Sequence, residues 1–362
     1  MSVNKSTILE ALRHVQDPDL KKDLVTLNMI ENITVEGKKV SFDVILTTPA
    51  CPMKDHIRQS CLEAIDRYAG PGLEVTVNMT SRVTTRRKET DAMLRDVKNI
   101  IAVGSGKGGV GKSTVAVNLA IALAKTGARV GLIDADIYGP SIPIMFGMVN
   151  ERPTGFDRDG KTYVYPFEKF GIKLLSIGFF IDPSKALIWR GPMASMALRQ
   201  LFSDAEWGTL DYMVIDLPPG TGDIPLTLIQ DFPLTGAIIV STPQQVAIAD
   251  VRKAADMFRN DKINIPILGL VENMSWFSPP DLPEKKYYIF GEGGGKKLAR
   301  ELNIPVLGEI PITPAISESG DAGVPSADED GSPVSEAFRK LAESVAQQIA
   351  ISNSIKDIFT GN

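Results

Sequence analysis

IIAVGSGKGGVGKSTVAVNLAIALA, residues 100–124, runs from an apolar strand through a glycine-rich turn into an apolar helix. Gly106 and Gly111, followed by Lys112 and Ser113, fit G-x-x-x-x-G-K-[ST] in the strand–loop–helix setting that the pattern requires. Glycines let backbone N–H groups converge on phosphate oxygens without a side chain in the way. The helix N-terminus adds unpaired donors and partial positive charge. The loop Gly106, Lys107, Gly108, Gly109, Val110, Gly111, Lys112, Ser113 and Thr114 is therefore expected to cradle a nucleotide's phosphates. Lys112 is expected to reach the β- and γ-phosphates, and Ser113 to hold Mg²⁺.

Short apolar runs recur after this stretch: RVGLIDAD (129–136), YMVIDLP (212–218), GAIIVSTP (236–243), ILGLVENM (267–274) and VLGEIPI (306–312). Helical stretches separate them, so the pattern predicts an α/β fold with a mostly parallel sheet flanked by helices. Two runs end in carboxylates, Asp134 with Asp136 beyond it, and Asp216. Carboxylates at strand C-termini lie where open α/β sheets bind ligands. Asp216 is expected to contact Mg²⁺. Asp136 is the choice for orienting an attacking water, and Asp134 for supporting the metal from behind. Each could instead cap the helix that follows. Gly220 and Gly222, after Asp216, would let that loop respond to a γ-phosphate.

The first 84 residues read as a separate small α+β domain. STILEALRHV (6–15) has helical spacing behind Ser6 as N-cap. Strands are expected at 29–35, 40–46 and 73–79, with a helix from Met53 to Tyr68. Residues 85–97 read as a linker, 98–352 as the nucleotide-binding domain and 353–362 as a frayed tail. The full chain has 362 residues and a net charge of −5, so no basic field points to nucleic acid. Only two cysteines occur, Cys51 and Cys61, too few for a disulfide framework. No apolar run suits a membrane span and the N-terminus lacks a signal-peptide core, so a cytoplasmic protein without stable membrane association is expected.

The form KGGVGKST, with the early lysine Lys107, resembles the deviant Walker A motif of the MinD/ParA/nitrogenase iron protein class. That resemblance implies a homodimer in which Lys107 reaches the partner's nucleotide. It also implies ATP as the nucleotide, with Asn273 and the segment around Pro311 holding its adenine. DADIYGPSIP (134–143), WRGPM (189–193), LPPGTGD (217–223), STPQQVAIADVRKA (241–254), VENMSWF (271–277) and YYIFGEGGGKKLA (287–299) are similar to Mrp/ApbC-type iron–sulfur cluster carrier ATPases. DPDLKKDLVTLNMI (17–30) and LTTPACPMKD (46–55) are similar to the iron–sulfur-assembly domain that precedes many of them.

The resemblance implies ATP hydrolysis coupled to binding and transfer of an iron–sulfur cluster, [4Fe–4S] in kind, to apo client proteins with the help of assembly factors. One departure stands out. The family carries a cluster-binding C-x-x-C pair after VENMSWF, and SPPDLPEKK (278–286) has no cysteine. Prolines and a serine cannot stand in for soft thiolates. Cys51 is then the thiol left to contact a cluster, unless it is a packing residue; Cys61 reads as core. The alternative function is a MinD/ParA-like scaffold or partner-binding protein, switched by ATP and holding no cluster of its own.

Overall fold

The computed structural model describes residues 3–87, 94–180, 191–279, 281–282 and 284–359. Parts of the 85–97 linker, of WRGPM and of SPPDLPEKK, and residues 360–362 of the expected tail, lie outside them. The chain divides into two compact units. Met1–Thr84 groups with Ala346–Asn362, and Thr85–Val345 forms the other.

The smaller unit contains α1 (Lys5–Leu12), β1 (Ile30–Glu36), β2 (Lys39–Leu46), α2 (Lys54–Tyr68) and β3 (Glu74–Ser81). β2 is central, antiparallel to β1 and parallel to β3. Alternation along β2 buries Val40, Phe42, Val44 and Leu46 with Ile8 and Leu12 of α1 and Ile57, Cys61 and Ile65 of α2. The N-cap of α1 is Asn4 rather than Ser6. Its side chain accepts from Thr7 N at 2.9 Å, and asparagine caps as well as serine does. The helix stops at Leu12, three residues short of the expected end, where Val15 N bonds to Leu12 O in a tighter turn.

The larger unit runs β4 (Val97–Gly104), α3 (Lys112–Lys125), β5 (Val130–Asp134), α4 (Ile142–Met145), β6 (Gly155–Arg158), β7 (Lys161–Val164), β8 (Phe167–Lys169) and β9 (Ile172–Ser176). It continues α5 (Gly191–Ser203), β10 (Leu210–Asp216), α6 (Asp223–Asp231), β11 (Gly236–Ser241), α7 (Gln245–Arg259) and β12 (Ile267–Phe277). Then come α8 (Gly294–Glu301), β13 (Val306–Ile312), α9 (Pro314–Asp321) and α10 (Pro333–Phe359). Eight strands form one sheet in the order β13-β12-β11-β4-β10-β5-β9-β8, parallel except for β8 against β9. Consecutive apolar side chains fill β4 and β10 because strands in the middle of such a sheet are covered on both faces. α3 packs against β5 and β10, α7 against β11, and α8 against β12.

The sequence places the end of the nucleotide-binding domain at 352 and a frayed tail from 353. α10 continues without a break to Phe359, and from Ala346 onward it groups with the smaller unit. Side-chain bonds hold that stretch. Gln347 Nε2 donates to Asp19 Oδ1 at 2.6 Å, and the Asn353 amide donates to Thr84 O at 3.1 Å.

Candidate nucleotide site

β4 lies between β10 and β11, so the winding of the sheet changes direction there. Ligands of open α/β folds bind at such a point, beyond the strand C-termini. The loop leaving β4 occupies it, and α3 begins at Lys112 with Gly111 as its N-cap. Gly111 has φ +77°, a left-handed conformation that suits glycine. A Cβ at Gly111 would also stand 2.2 Å from Asn273 Nδ2. At Gly106 a Cβ would stand 2.4 Å from the backbone carbonyl of Asp250 in α7. Glycine is thus required at both ends of the loop, at Gly106 by the Asp250 backbone and at Gly111 by its left-handed backbone.

Register aligns the acidic strand ends. Asp216 of β10 pairs with Asp134 of β5, and Asp134 with Ser176 of β9. Lys112 Nζ donates to Asp216 Oδ1 at 2.6 Å and lies 3.8 Å from Asp136 Oδ2. Ser113 Oγ donates to Asp216 Oδ2 at 2.5 Å. Asp216 and Asp134 are fully buried. Burial pushes the Asp216 carboxyl up, against the pull of the Lys112 ammonium and the Ser113 hydroxyl. Asp134 is pushed up to about 7 by burial and by the Asp216 charge, against the Ser176 hydroxyl and the charge of Lys112. Its Oδ2 accepts from Ser176 Oγ at 2.8 Å and its Oδ1 from Asp136 N at 3.1 Å. Asp136 Oδ1 accepts from Tyr138 N and Gly139 N, both at 3.2 Å. Asp134 therefore shapes the turn that carries Asp136, and Asp136 faces the lysine.

The hydroxyl and carboxylate oxygens of Ser113 and Asp216 suit Mg²⁺, a hard cation that takes oxygen ligands. Beside the loop lies a cavity of about 390 Å³ bordered by Gly111, Thr114, Asn273 and Pro311. Asn273 Nδ2 donates to Val110 O at 2.9 Å. Lys107 is half-buried and held through its carbonyl, which accepts from Ser105 Oγ at 2.9 Å. Gly220 N donates to Ser105 O at 3.0 Å, which ties the loop after β10 to the phosphate loop. The structure thus brings together Lys112, Ser113, Asp134, Asp136 and Asp216, with Asn273, Pro311 and Thr114 around the adjoining cavity.

Two residues of the site were not anticipated. Ser176 holds Asp134 but ends an ordinary apolar strand and gave no signal. Asn118 did give one, as a polar residue in the apolar run VAVNLAIALA. Its Nδ2 donates to Thr114 O at 2.8 Å and its Oδ1 accepts from Ala327 N at 2.7 Å. It links the phosphate-loop helix to the segment ahead of α10 whose Pro325 borders the cavity. Cys51 is half-buried, two residues before the N-cap of α2, and Cys61 is fully buried.

Residues 96–346 match the family described as NUBPL iron-transfer P-loop NTPase. The chain belongs to that family. Residues 5–78 match a second family, described as iron-sulfur cluster assembly protein. An iron-sulfur cluster carrier protein of Synechocystis sp. is 48% identical to this NUBPL-type chain over 345 residues, 95% of the chain and 96% of the relative. A protein of the same name from Deinococcus radiodurans is 45% identical over 345 residues, 95% of each. A solved nucleotide-binding protein in complex with ADP from Archaeoglobus fulgidus is 39% identical, with a TM-score of 0.59. It covers 70% of the NUBPL-type chain and 98% of its own. Among the described residues no helix is long and apolar enough to cross a membrane.

Proposed function

We propose that this chain is a Mg²⁺-dependent ATPase of the cytoplasm that serves the transfer of iron–sulfur clusters to apo client proteins. The observation that carries the reading is the convergence of Lys112, Ser113, Asp136 and Asp216 at the strand ends below a glycine loop, with a cavity beside it. The cargo comes from the relatives, which are named as iron-sulfur cluster carriers along nearly the whole chain.

In this reading the loop from Gly106 to Thr114 binds the phosphates, and Lys112 neutralises charge that develops on the γ-phosphate oxygens. Asp136 orients water for in-line attack. Asp134 fixes the turn that aims it. Ser113 and Asp216 would hold Mg²⁺, which supplies positive charge to the phosphate oxygens when bound. Asn273, Thr114 and Pro311 take the nucleoside side of the ligand. Two copies close face to face, and Lys107 of each reaches the nucleotide of the other. The segment 1–84 acts as the assembly-type domain that meets client proteins and assembly factors.

The test is phosphate release by the full chain with ATP or GTP, with and without Mg²⁺, beside Lys112→Met. Release with ATP and Mg²⁺ that is abolished in Lys112→Met is expected. Equal release from Lys112→Met would refute the assignment of the loop.

A further inference from the structure

The relatives are named for carrying a cluster, yet this chain is short of the ligands that a cluster takes. An iron–sulfur cluster is held by four protein ligands, thiolates above all and histidines in some centres. The full sequence holds two cysteines and two histidines. Cys61 packs in the core of the smaller unit among Ile8, Leu12 and Phe42, and burial pushes its thiol up to about 12. It is fully buried among apolar side chains, so no cluster reaches its sulfur without opening the core. The His14 ring is stacked on Tyr68, with centroids 3.9 Å apart.

What is left is one half-buried thiol, Cys51, with two exposed imidazoles, His14 and His56, of which His56 lies near it in the chain, just inside the start of α2. Two copies of the chain would bring two such thiols, half of an all-thiolate set, and imidazoles would have to supply the rest. Among the described residues no group of three or more His, Cys, Asp or Glu is placed to hold a metal ion. The stretch after β12 offers nothing better. Residues 278–286 contain neither cysteine nor histidine. Phe277 and Tyr287 exchange backbone hydrogen bonds of 2.8 Å across its ends, and the Lys286 ammonium sits 3.8 Å from the centroid of the Trp276 ring. A cation lies over an aromatic ring where a cluster would need soft anionic donors.

We infer that this chain does not hold an iron–sulfur cluster on its own side chains; the ligands stay with a second, thiol-bearing protein, and the chain acts on a cluster seated there. The inference rests on the proposed role in cluster transfer. The hand-over it describes is ligand exchange between donor and acceptor proteins. Each iron–thiolate bond broken on the donor is matched by one formed on the acceptor. The incoming thiol gives its proton to solvent, the departing thiolate takes one up, and no electron moves. The ATPase would govern when the two thiol-bearing proteins are held together.

The test is anaerobic incubation of the full chain with ferrous iron and sulfide, desalting, and a count of iron and sulfide per chain. Cys51→Ala and the double variant Cys51→Ala/His56→Ala run beside it, each checked for folding by thermal melting. Well under one iron per pair of chains is expected, the same in wild type and both variants. Matching iron and sulfide at two or more per pair of chains in wild type, lost in Cys51→Ala, would overturn the inference. A second arm keeps the two claims apart. A preloaded donor protein and an apo acceptor are mixed with the chain and Mg-ATP. Cluster retained by the chain itself defeats the inference and leaves the transfer role standing. No retained cluster together with no faster transfer defeats the transfer role, and the ligand count stands.

Discussion

Replacing Lys112 with methionine should cost folding stability as well as nucleotide chemistry. Lys112 is 6% exposed and Asp216 is fully buried, with their charged atoms 2.6 Å apart. Removing one partner of a buried pair leaves an uncompensated charge, which costs about 3–5 kcal/mol. The remaining hydroxyl of Ser113 donates one hydrogen bond to Asp216 and offsets little of that. In a unit of this size each kcal/mol moves the melting temperature by about 2–4 °C, so Lys112→Met should melt roughly 6–20 °C below wild type. The assay is thermal unfolding of the full chain in buffer without nucleotide or magnesium. Lys112→Met/Asp216→Asn serves as the control, since it removes both charges and keeps an acceptor for Ser113. The double variant should regain most of the lost stability while still releasing no phosphate, because the two contacting positions are not additive. Lys112→Met melting within about 2 °C of wild type would refute the reasoning, as would a double variant no more stable than the single one.

Gly106→Ala drives a Cβ to 2.4 Å from the Asp250 backbone, and backbone cannot turn aside as a side chain can. Overpacking of this kind costs about 1–3 kcal/mol, so nucleotide affinity measured by calorimetry should fall roughly 5- to 150-fold if the strain falls on the bound loop. Asn118→Leu removes two hydrogen bonds, one buried and one part-buried, of roughly 1 kcal/mol each and loosens a wall of the cavity, so KM for the nucleotide should rise more than kcat falls. Asp211 is held down to about 2: burial pushes its carboxyl up, but Arg129 and Lys98 outweigh it. A lowered carboxylate stabilises the fold above its unfolded value of 3.8, and that contribution is lost as pH falls from about 4 toward about 2. Arg129 is half-exposed, so the contribution is discounted to about 1–2 kcal/mol. The melting-temperature gap between wild type and Asp211→Asn should be full at pH 6 and close as the pH falls through that window.

The phosphate loop was legible because its chemistry is local. Spacing, glycines and the flanking periods all lie within residues 100–124. Asp134 and Asp216 were legible as strand ends, but their adjacency was not, since β10 inserts between β4 and β5 and pairing between distant strands leaves no mark in either. Ser176 was hidden for the same reason. The hairpin of β6 and β7 did leave a mark. Its turn is Asp159-Gly160, both at positive φ, a hairpin signal that the polar strands around it obscured. Asn4 and Ser6 are equally good caps on composition, and only the backbone conformation of Asn4 decides between them. Residues 353–362 read as a frayed tail because chain ends commonly fray. Gln347 and Asn353 anchor its approach through polar bonds that a hydrophobic pattern cannot register.

The measurement that bears most directly on the central claim is the rate at which a preloaded donor protein activates an apo iron–sulfur acceptor enzyme in the presence of the full chain. ATP with Mg²⁺, ADP with Mg²⁺, and Lys112→Met/Asp216→Asn with ATP are compared side by side. Faster activation with wild type and ATP alone is predicted. Equal rates in all three would contradict a nucleotide-driven role in cluster transfer.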